Sequence, residues 1–64
     1  SAGLTARERD VLRLLVTGMT DKEIAAALKL GRRTVSSHVE AIRAKLGATS
    51  RTAAAAIAVR DRVV

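Results

Sequence analysis

The sequence contains no cysteine, no proline, no Phe, Tyr or Trp, and no long apolar run. The missing cysteines exclude a disulfide or a thiolate metal site. The missing aromatic rings exclude base stacking, the usual route to single-stranded nucleic acid. No apolar stretch approaches the roughly 18 residues of a membrane span, and no signal peptide is visible. We therefore expect no membrane contact and a cytoplasmic location.

Positive charge is in excess. The 64 residues include 12 Lys and Arg but only 6 Asp and Glu, which gives a formal net charge of +6. A chain this short forms one domain at most. Such a basic excess favours a polyanionic partner such as DNA or RNA, although a merely solvated basic surface is the alternative.

Capping residues and glycines predict four helices. Thr5 with Glu8, and Thr20 with Glu23, have the form of capping boxes, in which side chains satisfy the free backbone N–H groups of a helix start. Gly47 stands where a helix end is expected. We predict a single all-α domain over residues 1–64, with helices at about 6–17, 21–28, 32–46 and 50–62.

Residues 20–39 have the pattern of a helix-turn-helix motif. A capped apolar helix is followed by a short break at residues 29–31 and by a second helix that opens with Arg32 and Arg33. In this motif the second helix lies in a DNA groove. The outward face of this third helix of the chain carries small or hydrogen-bonding residues in its first two turns, which suits close approach to base edges.

The last helix has two apolar faces, and such a helix usually has two partners. One face, with Ala54, Ile57 and Ala58, is expected to close the core. The other is expected to form a homodimer with a second copy and consists of Thr52, Ala56, Val59 and Val63. The alternative is that the alanines only reflect high helix propensity and that the terminal valines are frayed.

Several motifs in register resemble one family, the LuxR-type DNA-binding domain, also called the GerE or NarL/FixJ type. The resemblance runs from Leu4 to about Ala58 and rests on LT-x-RE at 4–8, KEIA at 22–25, TV-x-x-H at 34–38, KLG at 45–47 and SRT at 50–52. It implies a four-helix output domain of a bacterial transcription regulator, whose third helix enters the major groove and whose fourth commonly forms the dimer contact. We expect the chain to be the C-terminal part of a longer regulator whose N-terminal part senses a signal.

Base readout is assigned to the outward face of the third helix: Arg33, Ser36, Ser37 and Glu40. Arg33 suits bidentate pairing with guanine, and Glu40 suits a cytosine amine, although it could instead bridge to Arg43. Family members often carry Lys, Asn or Val where Ser36 and Ser37 stand, so the DNA sequence read by this chain does not follow by analogy. Gly31 also departs from the family's frequent Ser as the cap before this helix.

Contacts to the DNA backbone are expected to outnumber contacts to bases. The residues assigned to them are Thr20, Lys22, Arg32, Thr34, His38, Arg43, Lys45 and Arg51. His38 lies close to the core stripe, so its alternative role is packing against the core. Arg51 could instead form an internal ion pair with Glu8 or Asp10. Lys45 could likewise form an internal pair instead of contacting DNA.

Three other functions are alternatives to sequence-specific DNA binding. A protein-interaction module built on the last helix would leave the basic third helix unused. A sigma-factor-like region would add RNA polymerase as a partner but would keep the groove-reading helix. An enzyme is the weakest alternative, because one His, no Cys and no Gly-rich phosphate loop offer neither catalytic residues nor a cofactor or metal site.

Overall fold

The computed structural model describes residues 3–64, which form four α-helices and no β-strand. The helices are α1 (Ala6–Val16), α2 (Asp21–Leu28), α3 (Arg32–Leu46) and α4 (Arg51–Arg60). This confirms the predicted all-α class, and the boundaries differ from the expected ones by at most two residues. In this part of the chain no helix has both the length and the apolar character needed to cross a membrane.

Both predicted capping boxes are present. The Glu8 backbone N–H donates to the Thr5 hydroxyl at 3.1 Å, and the Thr5 N–H donates to the Glu8 carboxylate at 2.9 Å. Thr20 and Glu23 make the same pair of bonds at the start of α2. Each box satisfies two otherwise unpaired donors and so determines where its helix begins.

The core is built from aliphatic side chains of all four helices. Its buried cluster consists of Val11, Leu12, Leu15, Ile24, Ala25, Val35, Val39, Ile42 and Ala58. The α3 members recur at helical spacing, as the sequence predicted. Ile57 was also expected in the core but is only half-buried. Because one stripe of α3 faces this cluster, its opposite stripe is presented to solvent.

Three helices end in the same kind of turn, in which the chain passes through the left-handed conformation and an N–H reaches back to a carbonyl five residues earlier. At the end of α3 the left-handed residue is Gly47, with φ 67°. At the ends of α2 and α4 it is Lys29, with φ 56°, and Arg62, with φ 53°. Glycine adopts this conformation readily, whereas residues with a Cβ atom do so rarely.

The turn at Arg62 explains why α4 is shorter than predicted. The Val63 N–H donates to the Ala58 carbonyl at 2.9 Å, and Val63 packs against the core. Its own carbonyl accepts a hydrogen bond from the Arg9 guanidinium at 2.9 Å. The expectation that Val63 continues the outer helical stripe of α4 is therefore corrected, because the helix has already ended at Arg60.

Candidate nucleic-acid interface

The outward face of α3 carries the four residues assigned to base readout. Arg33, Ser36, Ser37 and Glu40 are spaced by three, one and three positions, which places them on one face of a helix. All four are exposed. Arg32 and Thr34, in the first turn, are exposed beside them. The structure thus brings the predicted base-reading residues together on one solvent-facing surface, which we call the α3 face.

The start of α2 presents a second set of polar groups. Thr20 is exposed, and its hydroxyl oxygen accepts the Glu23 N–H at 3.2 Å. This bond uses a lone pair, so the hydroxyl proton stays available to donate to an anion. Lys22 is exposed in the first turn of the same helix. The dipole and the remaining N–H groups of a helix start favour anions, whereas the carboxylates of Asp21 and Glu23 in the first turn of α2 oppose them.

Ion pairing divides the basic residues into two groups. Six of the 12 cations pair with carboxylates: Arg7 and Arg13 with Asp10, Lys45 with Glu8, Arg43 with Glu40, Arg51 with Asp21, and Arg60 with Asp61. The other six have no carboxylate partner among residues 3–64: Arg9, Lys22, Lys29, Arg32, Arg33 and Arg62. Four of these six lie between residues 22 and 33. The uncompensated positive charge is therefore concentrated on the helix-turn-helix.

Three of the residues assigned to the DNA backbone have partners inside the protein. Arg43 binds the Glu40 carboxylate and donates to the Thr49 carbonyl at 2.9 Å. Lys45 binds Glu8. Arg51 binds Asp21, rather than Glu8 or Asp10, and donates to the Met19 carbonyl at 2.6 Å. The structure shows the internal contacts of these residues, and their contacts with DNA stay predictions.

Glu8 is the one buried charged side chain in the described part of the chain, with 5% of its surface exposed. The Lys45 ammonium, hydrogen-bonded to the carboxylate at 2.6 Å, lowers the pKa of Glu8, and the Thr5 N–H adds to this effect. An electrostatic interaction with His38 is the smallest contribution to this lowering of the Glu8 pKa. His38 is half-buried, between the core side of α3 and solvent.

The predicted dimer face is only partly continuous. Thr52, Ala56 and Val59 are exposed along α4, and 64% of the Val59 surface is exposed. Val63 lies outside this stripe, as described above. Next to the stripe, an open groove of about 300 Å³ separates the end of α1 from the start of α4 and is lined by Leu15, Val16, Gly18, Arg51, Thr52 and Ala55.

Some features of the site could not be predicted from the sequence. Lys29 was not assigned a role, and only its positive φ distinguishes it from an ordinary exposed lysine. The pairings of Arg51 with Asp21 and of Lys45 with Glu8 join residues 30 and 37 positions apart. Within residues 3–64, no group of His, Asp and Glu side chains is arranged to hold a metal ion.

These features define a class: a small helix-turn-helix domain with a basic, hydroxyl-bearing second motif helix. Residues 2–58 match the model of the bacterial regulatory proteins of the luxR family. The chain belongs to that family, as its sequence motifs predicted. It is thus a helix-turn-helix domain of the kind with which transcriptional regulators bind DNA, and the family is not one of enzymes.

Similar proteins include longer regulators. The chain is 49% identical over 57 residues to the uncharacterized transcriptional regulatory protein YhcZ of Bacillus subtilis, covering 89% of this chain and 27% of YhcZ. It is 46% identical over 57 residues to the DNA-binding transcriptional activator DevR/DosR of Mycobacterium tuberculosis, covering 89% of this chain and 26% of that protein. The chain thus spans about a quarter of the length of these relatives.

Solved structures share the fold. The response regulator ChrA of a heme-sensing two-component system superposes with a TM-score of 0.91 at 37% identity, covering 97% of this chain and 31% of ChrA. The LuxR-type receptor VqmA of Vibrio cholerae superposes with a TM-score of 0.88 at 34% identity, covering 92% of this chain and 26% of VqmA. That structure is of a VqmA dimer in the absence of target DNA.

Proposed function

We propose that this chain binds double-stranded DNA in a sequence-specific manner, as the output domain of a longer bacterial transcriptional regulator. One observation carries the proposal: the cations without carboxylate partners are concentrated between residues 22 and 33, next to the exposed α3 face. Elsewhere most cations are neutralised by neighbouring carboxylates. A phosphate backbone is the partner that this uneven charge fits best.

Sequence readout is proposed to depend mainly on Arg33. An exposed guanidinium in the first turn of α3 can donate two parallel hydrogen bonds to guanine O6 and N7 in the major groove. Ser36 and Ser37 follow on the same face with short hydroxyls that allow close approach and accept or donate. Glu40 lies one turn further, and a cytosine amine would have to compete with Arg43 for its carboxylate.

Backbone contacts are proposed for residues on both sides of the α3 face. Thr20, Lys22, Arg32 and Thr34 are exposed around the two helix starts, where they suit phosphate oxygens. His38 is proposed as a weaker contact because it is half-buried. Arg43, Lys45 and Arg51 are already bound to partners inside the protein. They would donate to DNA phosphates through the N–H groups that these internal contacts do not occupy.

Two copies are proposed to bind together through α4. Thr52, Ala56 and Val59 form an exposed stripe in which small side chains allow two helices to approach closely. A twofold arrangement would place two α3 helices in half-sites about one helical turn, or about 10 base pairs, apart. A protein-interaction module is the competing function, since the exposed Val59 would serve it equally well.

The test selects bound sequences from a random pool of duplexes and then measures affinity for the selected sequence by fluorescence anisotropy over a series of salt concentrations. The Arg33→Ala variant should bind about 5- to 150-fold more weakly and discriminate less at one base position. Arg13→Ala is the matched control, because it removes an arginine that is exposed on α1 and paired with Asp10. This control should bind nearly as wild type.

The salt dependence separates the two functions. A DNA-binding domain loses affinity steeply, with a log–log slope of about 0.9 per phosphate contacted. An association of apolar surfaces would hardly respond to salt. No enrichment of any sequence, together with equal behaviour of Arg33→Ala and Arg13→Ala, would overturn the proposal.

A further inference from the structure

Lys29 has a backbone conformation that its side chain does not favour. Among residues 3–64, only Lys29 and Arg62 combine a positive φ with a side chain other than hydrogen. A Cβ atom in this left-handed region crowds the backbone, and glycine or asparagine is preferred there. At the corresponding position after α3 the chain has Gly47. A lysine after α2 therefore needs an explanation beyond the turn itself.

The turn requires the left-handed conformation but not the lysine. The Leu30 N–H donates to the Ala25 carbonyl at 2.9 Å, and Leu30 packs against the core. Those two contacts fix the path of the backbone whatever side chain stands at position 29. The Lys29 side chain itself is exposed and has no carboxylate partner in the described range. Within the described range its ammonium makes no ion pair, so its interaction with the negative end of the α2 dipole is the contribution left to it in the fold.

The position of Lys29 gives its charge a use. It is three residues before Arg32, the first residue of α3, so their Cα atoms are at most about 11 Å apart. When a recognition helix enters the major groove with its N-terminal residues foremost, the turn before it lies beside the groove edge. Phosphates line that edge. The long lysine side chain can span the remaining gap as a flexible point charge.

We propose that Lys29 is a phosphate-binding residue, whose ammonium contacts the DNA backbone at the edge of the groove that α3 enters. This inference rests on the proposed function and adds a contact from the turn between the two motif helices. Backbone strain directs attention to this position, but Arg62 has the same conformation. The role is therefore assigned by the place of the charge, three residues before the start of α3.

Arg62 provides a matched control within the same chain. It is also basic, exposed, in the left-handed conformation at a helix end, and without a carboxylate partner among residues 3–64. It follows α4 and lies far from the motif in sequence. Lys29→Gly and Arg62→Gly therefore remove the same charge and relieve the same kind of strain. Any difference between them in DNA binding reports the position of the charge.

The experiment measures binding to a fluorescent duplex of mixed sequence, about 20 base pairs long, over a salt series, because a phosphate contact does not depend on base sequence. Lys29→Gly should lower the log–log salt slope by about 0.9 relative to wild type and weaken binding by about 3- to 10-fold at low salt. Arg62→Gly should change neither appreciably. Lys29→Arg should keep both at the wild-type level, and Lys29→Asn, which also tolerates a positive φ, should behave as Lys29→Gly.

Thermal unfolding accompanies each measurement, and both glycine variants should melt at or above the wild-type temperature. If wild type binds with a steep salt slope but Lys29→Gly and Arg62→Gly have the same slope, the role of Lys29 is wrong while the proposed function stands. If wild type itself binds no duplex at low salt, the proposed function fails, and the inference fails with it.

Discussion

The Lys45 ammonium lies 2.6 Å from a carboxylate oxygen of Glu8, and this contact joins the last turn of α3 to the first turn of α1. The same Glu8 oxygen also accepts the Thr5 N–H of the capping box. Glu8 is buried, whereas 35% of the Lys45 side chain is exposed. A single carboxylate therefore caps one helix and holds the end of the proposed recognition helix.

Acid should destabilise the fold through Glu8. Its folded-state pKa is lowered from the ordinary value of 4.5, so the unfolded chain takes up this proton more readily. The stabilisation is complete above that ordinary value and is lost as the pH falls through the folded pKa. Glu8→Gln should lower the free energy of unfolding by about 1 kcal/mol at neutral pH. It should also flatten the decline in stability as the pH falls below the ordinary value of 4.5.

Glu23→Gln is the control for this effect, measured in the same urea titrations at several pH values. Glu23 occupies the same position in the second capping box but is exposed, and no Lys or Arg of the described chain forms an ion pair with it. It should lose less stability and keep most of the wild-type acid dependence. Equal pH profiles for wild type and Glu8→Gln would contradict the role given to Glu8.

Arg51 should hold the start of α2 in place. Its guanidinium binds the Asp21 carboxylate and the Met19 carbonyl, which lie on either side of the Thr20 cap. Arg51→Ala should remove both bonds and cost about 1 kcal/mol. Amide hydrogen exchange should show faster exchange at the first amides with helical bonds in α2, beginning with Ile24, while α3 stays protected.

Arg60→Ala offers a comparison, since Arg60 pairs only with its neighbour Asp61 and both are exposed. Exposed pairs contribute little, so exchange in α2 should be unchanged in that variant. If Arg51→Ala weakened DNA binding but left α2 exchange at the wild-type rate, direct phosphate contact would explain Arg51 better than this internal role.

The sequence was sufficient to predict features that depend on local patterns. Capping boxes at Thr5 and Thr20 have fixed spacings and chemistry, so the starts of α1 and α2 could be predicted to the residue. The core stripe of α3 followed from helical periodicity, and its opposite face followed with it. Gly47 marked the end of α3 because glycine adopts a positive φ without strain.

Other features could not be predicted because they depend on residues far apart or on an unusual backbone. The end of α4 has a left-handed Arg62 where a glycine would have been recognisable, so the helix was extended too far. The partners of Arg51 and Lys45 depend on how α2 and α1 pack against α3 and α4. Several carboxylates were available by charge alone, and only the fold selects Asp21 and Glu8.

Val59 and Val63 should respond differently to substitution, although both belonged to the predicted dimer stripe. Val59 is exposed on α4 and Val63 packs against the core. Val59→Asp should leave the free energy of unfolding within about 0.5 kcal/mol of wild type. It should nevertheless abolish paired binding to a duplex with two half-sites, because two aspartates would meet in the apolar contact. Val63→Asp should instead destabilise the monomer by about 1–3 kcal/mol.

Sedimentation velocity on the selected duplex separates these outcomes, since one bound copy and two bound copies differ in mass. Ala56→Ser, a small change on the same stripe, should preserve the paired complex and serves as the control. A wild-type domain that binds only as single copies at saturating concentration would contradict the homodimer. Paired binding by Val59→Asp would instead place the contact between copies elsewhere than on α4, because a buried pair of unneutralised carboxylates is strongly unfavourable.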